Sequence, residues 1–145
     1  MVVYRDPVER LSFLLPAKPK TESDEHAAGP LKVRSKTYIV SAGGEHYFVS
    51  KTTIRGPGSA AFVRQFNVSY ENSLLASDHA QKVSDASVSY GGIPMRRIGF
   101  TTAKGGKGAM LLINFPSEID ALMVRNSAGA LSKEAEGFLR SFRKG

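Results

Sequence analysis

Alternating apolar and polar residues recur along the chain and predict β-strands. Leu31 to Ser41 places Val33, Ser35, Thr37 and Ile39 on one side and Lys32, Arg34, Lys36 and Tyr38 on the other. After Gly43-Gly44, the alternation resumes from Glu45 to Ile54. A period of two is typical of a half-buried strand, so these runs predict an antiparallel hairpin joined by a glycine turn.

Further strands are predicted on both sides of this hairpin. A short strand from Leu11 to Leu15 ends at Pro16, because two closely spaced prolines cannot continue a hydrogen-bond ladder. The hydrophilic stretch from Thr21 to Pro30 is expected to be a poorly ordered connection. Ala109 to Phe115 is apolar enough for a central strand that is buried on both faces. The later predicted strands are Val83 to Tyr90, Ile93 to Thr102, Ala109 to Phe115 and Ile119 to Arg125.

Two segments have the spacing of helices. Apolar residues recur at helical intervals from Phe62 to Leu74, and Ser59 is placed to cap that helix. A closing helix from Lys133 to Arg143 is expected to be capped by Ser132. Its predicted buried stripe is Ala135, Phe138, Leu139 and Phe142. Runs of strands separated by one helix and followed by another favour an α+β fold, with an antiparallel sheet of about six to seven strands packed by two main helices.

Length and composition fit one globular domain, residues 1–145. The chain has no cysteine, which excludes disulfides and thiolate metal sites. No apolar run approaches the roughly 20 residues that a membrane helix needs. The formal net charge is +7, with 11 basic and 9 acidic side chains in residues 1–90 against 9 and 4 in 91–145. This excess is spread over strand faces, turns and helix ends, so most of it is expected to be solvated surface.

Three short motifs are similar to those of the PsbP-like family, which comprises PsbP and Mog-type proteins. They are Leu11 to Pro16 followed by Pro19, then Gly92-Ile93-Pro94 followed by Arg96-Arg97, and Phe138-Leu139-Arg140-Ser141-Phe142. The resemblance implies an α/β/α sandwich with a sheet between helices. It also implies a non-enzymatic role in protein binding or assembly, commonly in bacteria and outside the cytoplasm, and it carries no catalytic or metal residue to this chain.

Two glycine-rich loops resemble phosphate-binding motifs. Gly56 to Ala61 matches the dinucleotide fingerprint and has Asp78 about twenty residues further on. The fingerprint requires a parallel strand buried on both faces, whereas the preceding run alternates like an antiparallel strand, so a helix-entry turn is favoured. The loop amides at Gly58, Ser59 and Ala60 remain candidates for holding a small anion. Lys104 to Gly108 leads into a strand, not a helix, which favours a hairpin turn.

No pattern of catalytic or metal-ligating residues is present in the sequence. His26, His46 and His79 have no spacing that would bring two onto one helix turn or onto alternate strand positions. The nucleophile elbow G-x-S-x-G does not occur. The sequence therefore predicts no catalytic residue, no metal and no cofactor.

The leading hypothesis is a non-enzymatic binding or assembly protein whose basic rim contacts another protein. The alternative is an anion or nucleic-acid binding protein, which is less favoured. The predicted binding residues are Arg96, Arg97, Lys104, Lys107, Gly58 and Ser59. No membrane span is expected. The location is expected to be periplasmic or otherwise extracytoplasmic if a leader has been removed, and cytoplasmic if none has.

Overall fold

A computed structural model describes residues 1–77, 79–127 and 129–145. In these ranges the chain forms ten strands and two helices. The elements in chain order are β1 (Val2–Asp6), β2 (Leu11–Leu15), β3 (Lys20–Ala28), β4 (Leu31–Ala42), β5 (Glu45–Arg55), α1 (Ser59–Ser77), β6 (Gln81–Tyr90), β7 (Ile93–Thr101), β8 (Lys107–Phe115), β9 (Glu118–Asn126), α2 (Lys133–Arg140) and β10 (Arg143–Lys144).

Seven of the strands form one sheet in the order β3-β4-β5-β9-β8-β7-β6. All of its neighbouring strands are antiparallel. The predicted antiparallel sheet with two helices is therefore confirmed. A second sheet, which the sequence did not predict, has the order β1-β2-β10.

The large sheet is the middle layer of the fold. On β8, Met110 and Leu112 pack in a cluster with Tyr70 and Leu74 of α1, so α1 covers that face. Leu111 and its neighbours on the other face pack with α2 and with the small sheet. Because both faces of β8 are covered, its nearly continuous apolar run is buried, as predicted.

The buried face of β4 is not the same at the two ends of the strand. Val33 is buried near α1, but further along the strand Tyr38 is fully buried under the small sheet and Ile39 is 38% exposed. The two sides of the alternation are therefore those predicted. The layer that covers them differs between the two ends of the strand, which the period alone does not reveal.

The stretch from Thr21 to Pro30, predicted to be a poorly ordered connection, instead contains the edge strand β3. Lys20 pairs with Ile39 and Ala28 with Leu31 in one continuous antiparallel register. Nearly every residue of β3 is exposed. An edge strand without a buried face has no apolar alternation to detect, and its charged side chains discourage pairing with other chains.

The closing helix ends earlier than predicted, at Arg140 and not at Arg143. The Ser141 hydroxyl donates to the Phe138 carbonyl oxygen at 2.7 Å. Arg143 then pairs with Ser12 as part of β10. Phe142 is buried as predicted, but from outside the helix. The predicted cap is confirmed, because the Ala135 amide donates to the Ser132 hydroxyl at 3.1 Å.

Candidate functional site at one end of the sheet

Charged side chains gather where the β1–β2 turn crosses the end of the large sheet. Lys36 of β4 lies opposite Lys51 of β5, and Lys51 lies opposite Asp120 of β9. Residues that face each other in this way project from the same face of a sheet. The small sheet covers this row, so the charged groups must be paired within the protein.

Asp6 anchors the β1–β2 turn to this row. Its carboxylate accepts hydrogen bonds from Lys36 Nζ at 2.6 Å and from Tyr38 Oη at 2.7 Å. It also accepts from the amides of Val8 and Glu9, each at 3.0 Å. Burial raises the pKa of Asp6, but these hydrogen bonds outweigh burial and hold the pKa at about 2. Asp6 is therefore ionised at neutral pH, and its charge is balanced by Lys36.

Glu9 fixes the other side of the same turn. Its carboxylate lies 3.2 Å from Nη2 of Arg34. The Lys51 amine donates to the Glu9 carbonyl oxygen at 2.9 Å. The turn is thus held on the sheet through two neighbouring strands.

Asp120 is the most buried charged group of this end. Its side chain is fully buried, and Oδ1 has no hydrogen-bond partner among the described residues. Burial raises the pKa of Asp120 to about 7, although the nearby Lys51 opposes that rise. Lys144 Nζ lies 3.4 Å from Asp120 Oδ2, forms an ion pair with Glu118 and sits 4.0 Å from the centre of the Phe115 ring.

The surface above these pairs is strongly basic. We call this surface the cationic face, and its exposed cations besides Lys144, which pairs with Glu118, are Arg5, Arg10, Lys32, Arg34, Arg55 and Arg143. It contains two cavities. The larger, about 420 Å³, is lined by Arg5, Asp6, Pro7, Arg10, Leu11, Ser12, Arg143, Lys144 and Gly145. The smaller, about 150 Å³, is lined by Glu25, Lys32, Arg34, Thr53 and Arg55.

Of the six exposed cations of the cationic face, only Lys32 and Arg34 have an ion-pair partner among the described residues. The Arg34–Glu9 ion pair joins the smaller cavity to the β1–β2 turn, because Arg34 lines that cavity and Glu9 lies in the turn. Glu25, the exposed carboxylate of the smaller cavity, lies 3.9 Å from Lys32. An anionic surface that docks here would meet an excess of cations.

Two of the predicted binding residues, Arg96 and Arg97, point to opposite faces of the large sheet. Arg96 lies 2.9 Å from Glu71 of α1 and 2.6 Å from Asp85. Arg97 forms an ion pair with Glu136 of α2 and donates to Tyr90 Oη at 2.9 Å. Consecutive residues of a strand alternate between faces, so this basic pair does not form one patch.

The other four predicted residues lie at opposite ends of the sheet. Lys104 and Lys107 are exposed at the β7–β8 turn. Gly58 and Ser59 lie beside the β8–β9 turn, because the Ser59 and Ser117 hydroxyls are 2.9 Å apart. The nine residues of β9 separate the two ends by about 30 Å. Gly58 and Ser59 therefore lie at the end that carries the cationic face, and Lys104 and Lys107 do not.

Ser59 does not act as the predicted helix cap. It is the first residue of α1, and its hydroxyl faces Ser117. β5, which leads into the Gly56 to Ala61 loop, is antiparallel to both of its neighbours. The parallel strand that the dinucleotide fingerprint requires is therefore missing. Asp78, the acidic residue considered for that motif, lies outside the described residues.

The cluster of Asp6, Glu9, Lys51 and Asp120 was not found from the sequence. One signal was available, because Asp120 interrupts an otherwise apolar stretch of β9. Within residues 1–77, 79–127 and 129–145, no three His, Cys, Asp or Glu side chains are grouped so as to hold a metal ion. Neither helix of this part of the chain is long and apolar enough to cross a membrane.

Comparisons with known proteins identify the fold. No family model matches the chain, and no curated protein matches it. The solution structure of cyanobacterial PsbP (CyanoP) from Synechocystis sp. PCC 6803 is similar, with a TM-score of 0.58 and 11% sequence identity. The match covers 99% of this chain and 92% of that chain. The chain therefore has a PsbP-like fold, as the three sequence motifs predicted.

Proposed function

We propose that this protein is a non-enzymatic binding protein that docks on an acidic surface of another protein through the cationic face. The observation that carries the proposal is the difference between buried and exposed charge at this end of the sheet. Below the surface, Asp6, Glu9 and Glu118 each have a cationic partner. At the surface, Arg34 is the partner of Glu9 and Lys32 lies 3.9 Å from Glu25, whereas the other four exposed cations of the cationic face have no ion-pair partner among the described residues.

The placement of Asp120 favours binding over catalysis. A carboxyl group with a pKa of about 7 is a typical general base. Asp120 is fully buried, however, and it lines neither cavity of the cationic face. A general base must reach the proton that it removes, so its burial supports a structural role.

The PsbP-like fold is also consistent with a role in binding or assembly. Exposed charges steer a partner of opposite charge toward the docking surface and increase the association rate. Salt screens this attraction, so association through the cationic face should weaken as the ionic strength rises.

Charge reversal tests the proposal. The doubly substituted variant Lys32→Glu/Arg55→Glu changes the smaller cavity, and Arg64→Glu/Lys133→Glu makes the same change in net charge at exposed cations elsewhere. In affinity capture from an extract of the source cells, we expect the first variant to lose the partner that the wild type and the control retain. Equal capture by both variants would contradict the proposal.

A second candidate function is binding of an anion or a nucleic acid at the β7–β8 turn. Lys107 lines a cavity of about 460 Å³ together with Arg97, and Lys104 is exposed nearby. Fluorescence anisotropy with labelled oligonucleotides at low salt tests this function. Binding that Lys104→Gln/Lys107→Gln abolishes would support it, and no binding by the wild type would remove it.

A further inference from the structure

We propose that the larger cavity of the cationic face is a binding site for a phosphate monoester group. The proposal rests on the proposed function, because it assigns a ligand chemistry to part of the same face. It depends on three arginines that different parts of the chain bring to one cavity, Arg5, Arg10 and Arg143.

The small sheet sets two of these arginines on either side of a hydroxyl group. In the registers of β1 with β2 and of β10 with β2, Ser12 lies opposite both Arg5 and Arg143. The three side chains therefore project from the same face of the sheet. Two strand spacings separate the outer strands by about 10 Å. Both arginines line the cavity, so an anion bound there would lie near two guanidinium groups, with the Ser12 hydroxyl as a further donor.

Arg143 is held in place before any ligand binds. Its Nη1 donates to the carbonyl oxygens of Arg140 at 3.1 Å and Phe142 at 2.7 Å. The guanidinium group also lies against the backbone of Gly91, where an added Cβ would come within 2.5 Å of Arg143 Cζ. Gly91 thus leaves room for a guanidinium group whose Nε and Nη2 have no hydrogen-bond acceptor among the described residues. Preorganisation of this kind lowers the entropic cost of binding.

Arg10, which also lines the cavity, occupies an unfavourable backbone conformation. Its φ angle is +60°, in the left-handed region that favours glycine or asparagine. Hydrogen bonds hold it there, since its amide donates to the Asp6 carbonyl at 2.8 Å and its carbonyl accepts from the Gly145 amide at 2.8 Å. Glycine would adopt this conformation with less strain, so the presence of an arginine here points to a role for its side chain.

The charge of the cavity favours a dianion over a monoanion. Asp6 and Lys144, the other charged side chains of the lining, are engaged with Lys36 and Glu118. Arg5, Arg10 and Arg143 have no carboxylate partner within the described part of the chain. A single carboxylate would leave this cluster under-neutralised. A phosphate monoester carries close to two negative charges and three acceptor oxygens, which suit arginine's planar set of donors.

Titration with inorganic phosphate and with O-phosphoserine, followed by backbone amide NMR, tests the proposal. We expect saturable shifts at Arg5, Ser12 and Arg143, with weaker binding of acetate. Arg5→Gln and Arg10→Gly should each weaken phosphate binding by about tenfold, and Arg64→Gln should not change it. Arg10→Gly should also melt no lower than the wild type, because glycine tolerates the left-handed backbone. Unchanged affinity in both cavity variants, or no saturable phosphate binding, would overturn the proposal.

Two comparisons distinguish failure of the phosphate site from failure of the proposed function. Partner capture that is lost in Lys32→Glu/Arg55→Glu, without phosphate binding by the wild type, would overturn the phosphate site and leave the proposed function standing. Phosphate binding without any partner capture would overturn the proposed function and leave the phosphate site standing. Vesicles that contain phosphatidic acid identify the source of the phosphate: binding that Arg5→Gln abolishes would assign the site to a lipid headgroup, and binding of soluble phosphate alone would assign it to a free phosphate ester.

Discussion

Lys51 lies directly opposite Asp120 in the register of β5 and β9, and its amine donates to the Glu9 carbonyl oxygen at 2.9 Å. Lys51 therefore ties the β1–β2 turn to the sheet while it faces a buried carboxyl group. Lys51 lowers the pKa of Asp120, but burial raises this pKa by more, to about 7. The same relationship holds the turn that contains Arg10 and that follows Arg5 of β1.

Replacing Asp120 with asparagine should make the protein more stable at alkaline pH. The folded-state pKa of about 7 lies above the unfolded value of about 3.8, so the wild-type free energy of unfolding falls as pH rises between these values. The groups facing Asp120 are Lys51 from β5, Lys144 from β10, Glu9 from the turn and Glu118 on its own strand. We expect Asp120→Asn to be more stable than the wild type by about 2 kcal/mol at pH 8 and to lack this slope.

Urea unfolding at pH 5 and pH 8 measures this effect. The advantage of Asp120→Asn should be smaller at pH 5 than at pH 8, because part of the wild-type loss of stability develops only as pH rises from 5 to the folded-state pKa of about 7. A variant that is less stable than the wild type at both pH values would show that Asp120 is ionised and stabilising in the folded protein.

Asp6→Asn should have the opposite dependence on pH. The pKa of Asp6 is depressed to about 2, so its stabilising contribution is complete above the unfolded value of 3.8 and is lost as pH falls toward 2. We expect the variant to lose about 2 kcal/mol at pH 7, because the charge that pairs with Lys36 is removed. Unfolding measured from pH 7 down to pH 2 should show the two proteins converging. A constant difference would contradict the assigned pKa.

The β6–β7 turn offers a matched pair of glycine substitutions. Gly91 and Gly92 both have positive φ angles, +59° and +77°. An alanine Cβ at Gly91 would meet the Arg143 guanidinium, whereas one at Gly92 would have nothing within 4 Å. Both substitutions strain the backbone by about 1 kcal/mol, and Gly91→Ala should cost up to about 1 kcal/mol more, because it pushes the guanidinium away from the carbonyl oxygens of Arg140 and Phe142. Thermal unfolding measures the difference, and equal losses would show that Arg143 moves aside freely.

Arg97 and Lys104, both predicted to bind a partner, should differ in their effect on stability. Arg97 pairs with Glu136 and Tyr90. Arg97→Gln should therefore lower the free energy of unfolding by about 1 kcal/mol. Lys104→Gln removes an exposed charge at a turn and should leave stability within about 0.5 kcal/mol of the wild type. Denaturant unfolding of both variants measures these changes. Equal losses of unfolding free energy in the two variants would contradict the prediction.

The sequence predicted those elements that have a buried face, because burial separates their apolar side chains from their polar ones. The hairpin of β4 and β5 was confirmed almost to the residue, because α1 and the small sheet impose alternation on it. β3 gave no signal, since an edge strand exposed on both faces needs no apolar residue. The length of α2 was overestimated because the helical spacing of the sequence continues to Arg143. In the structure Arg143 instead pairs with Ser12 in the small sheet.

The candidate site was harder to predict than the fold. Arg96 and Arg97 are adjacent in sequence, and only the positions of α1 and α2 show that Glu71 and Glu136 pair with them. The cationic face combines residues as far apart as Arg5 and Arg143. Their proximity follows from the pairing of β1 and β10 with β2, which local patterns do not encode.

Lysine cross-linking of the protein to its captured partner, with mass-spectrometric mapping, is the most direct test of the claim that the cationic face is the docking surface. Lys32 is exposed on this face, whereas Lys104 and Lys133 are exposed elsewhere. We predict that cross-links to the partner form through Lys32, and that high salt suppresses them. Cross-links confined to Lys104 or Lys133 would contradict the account.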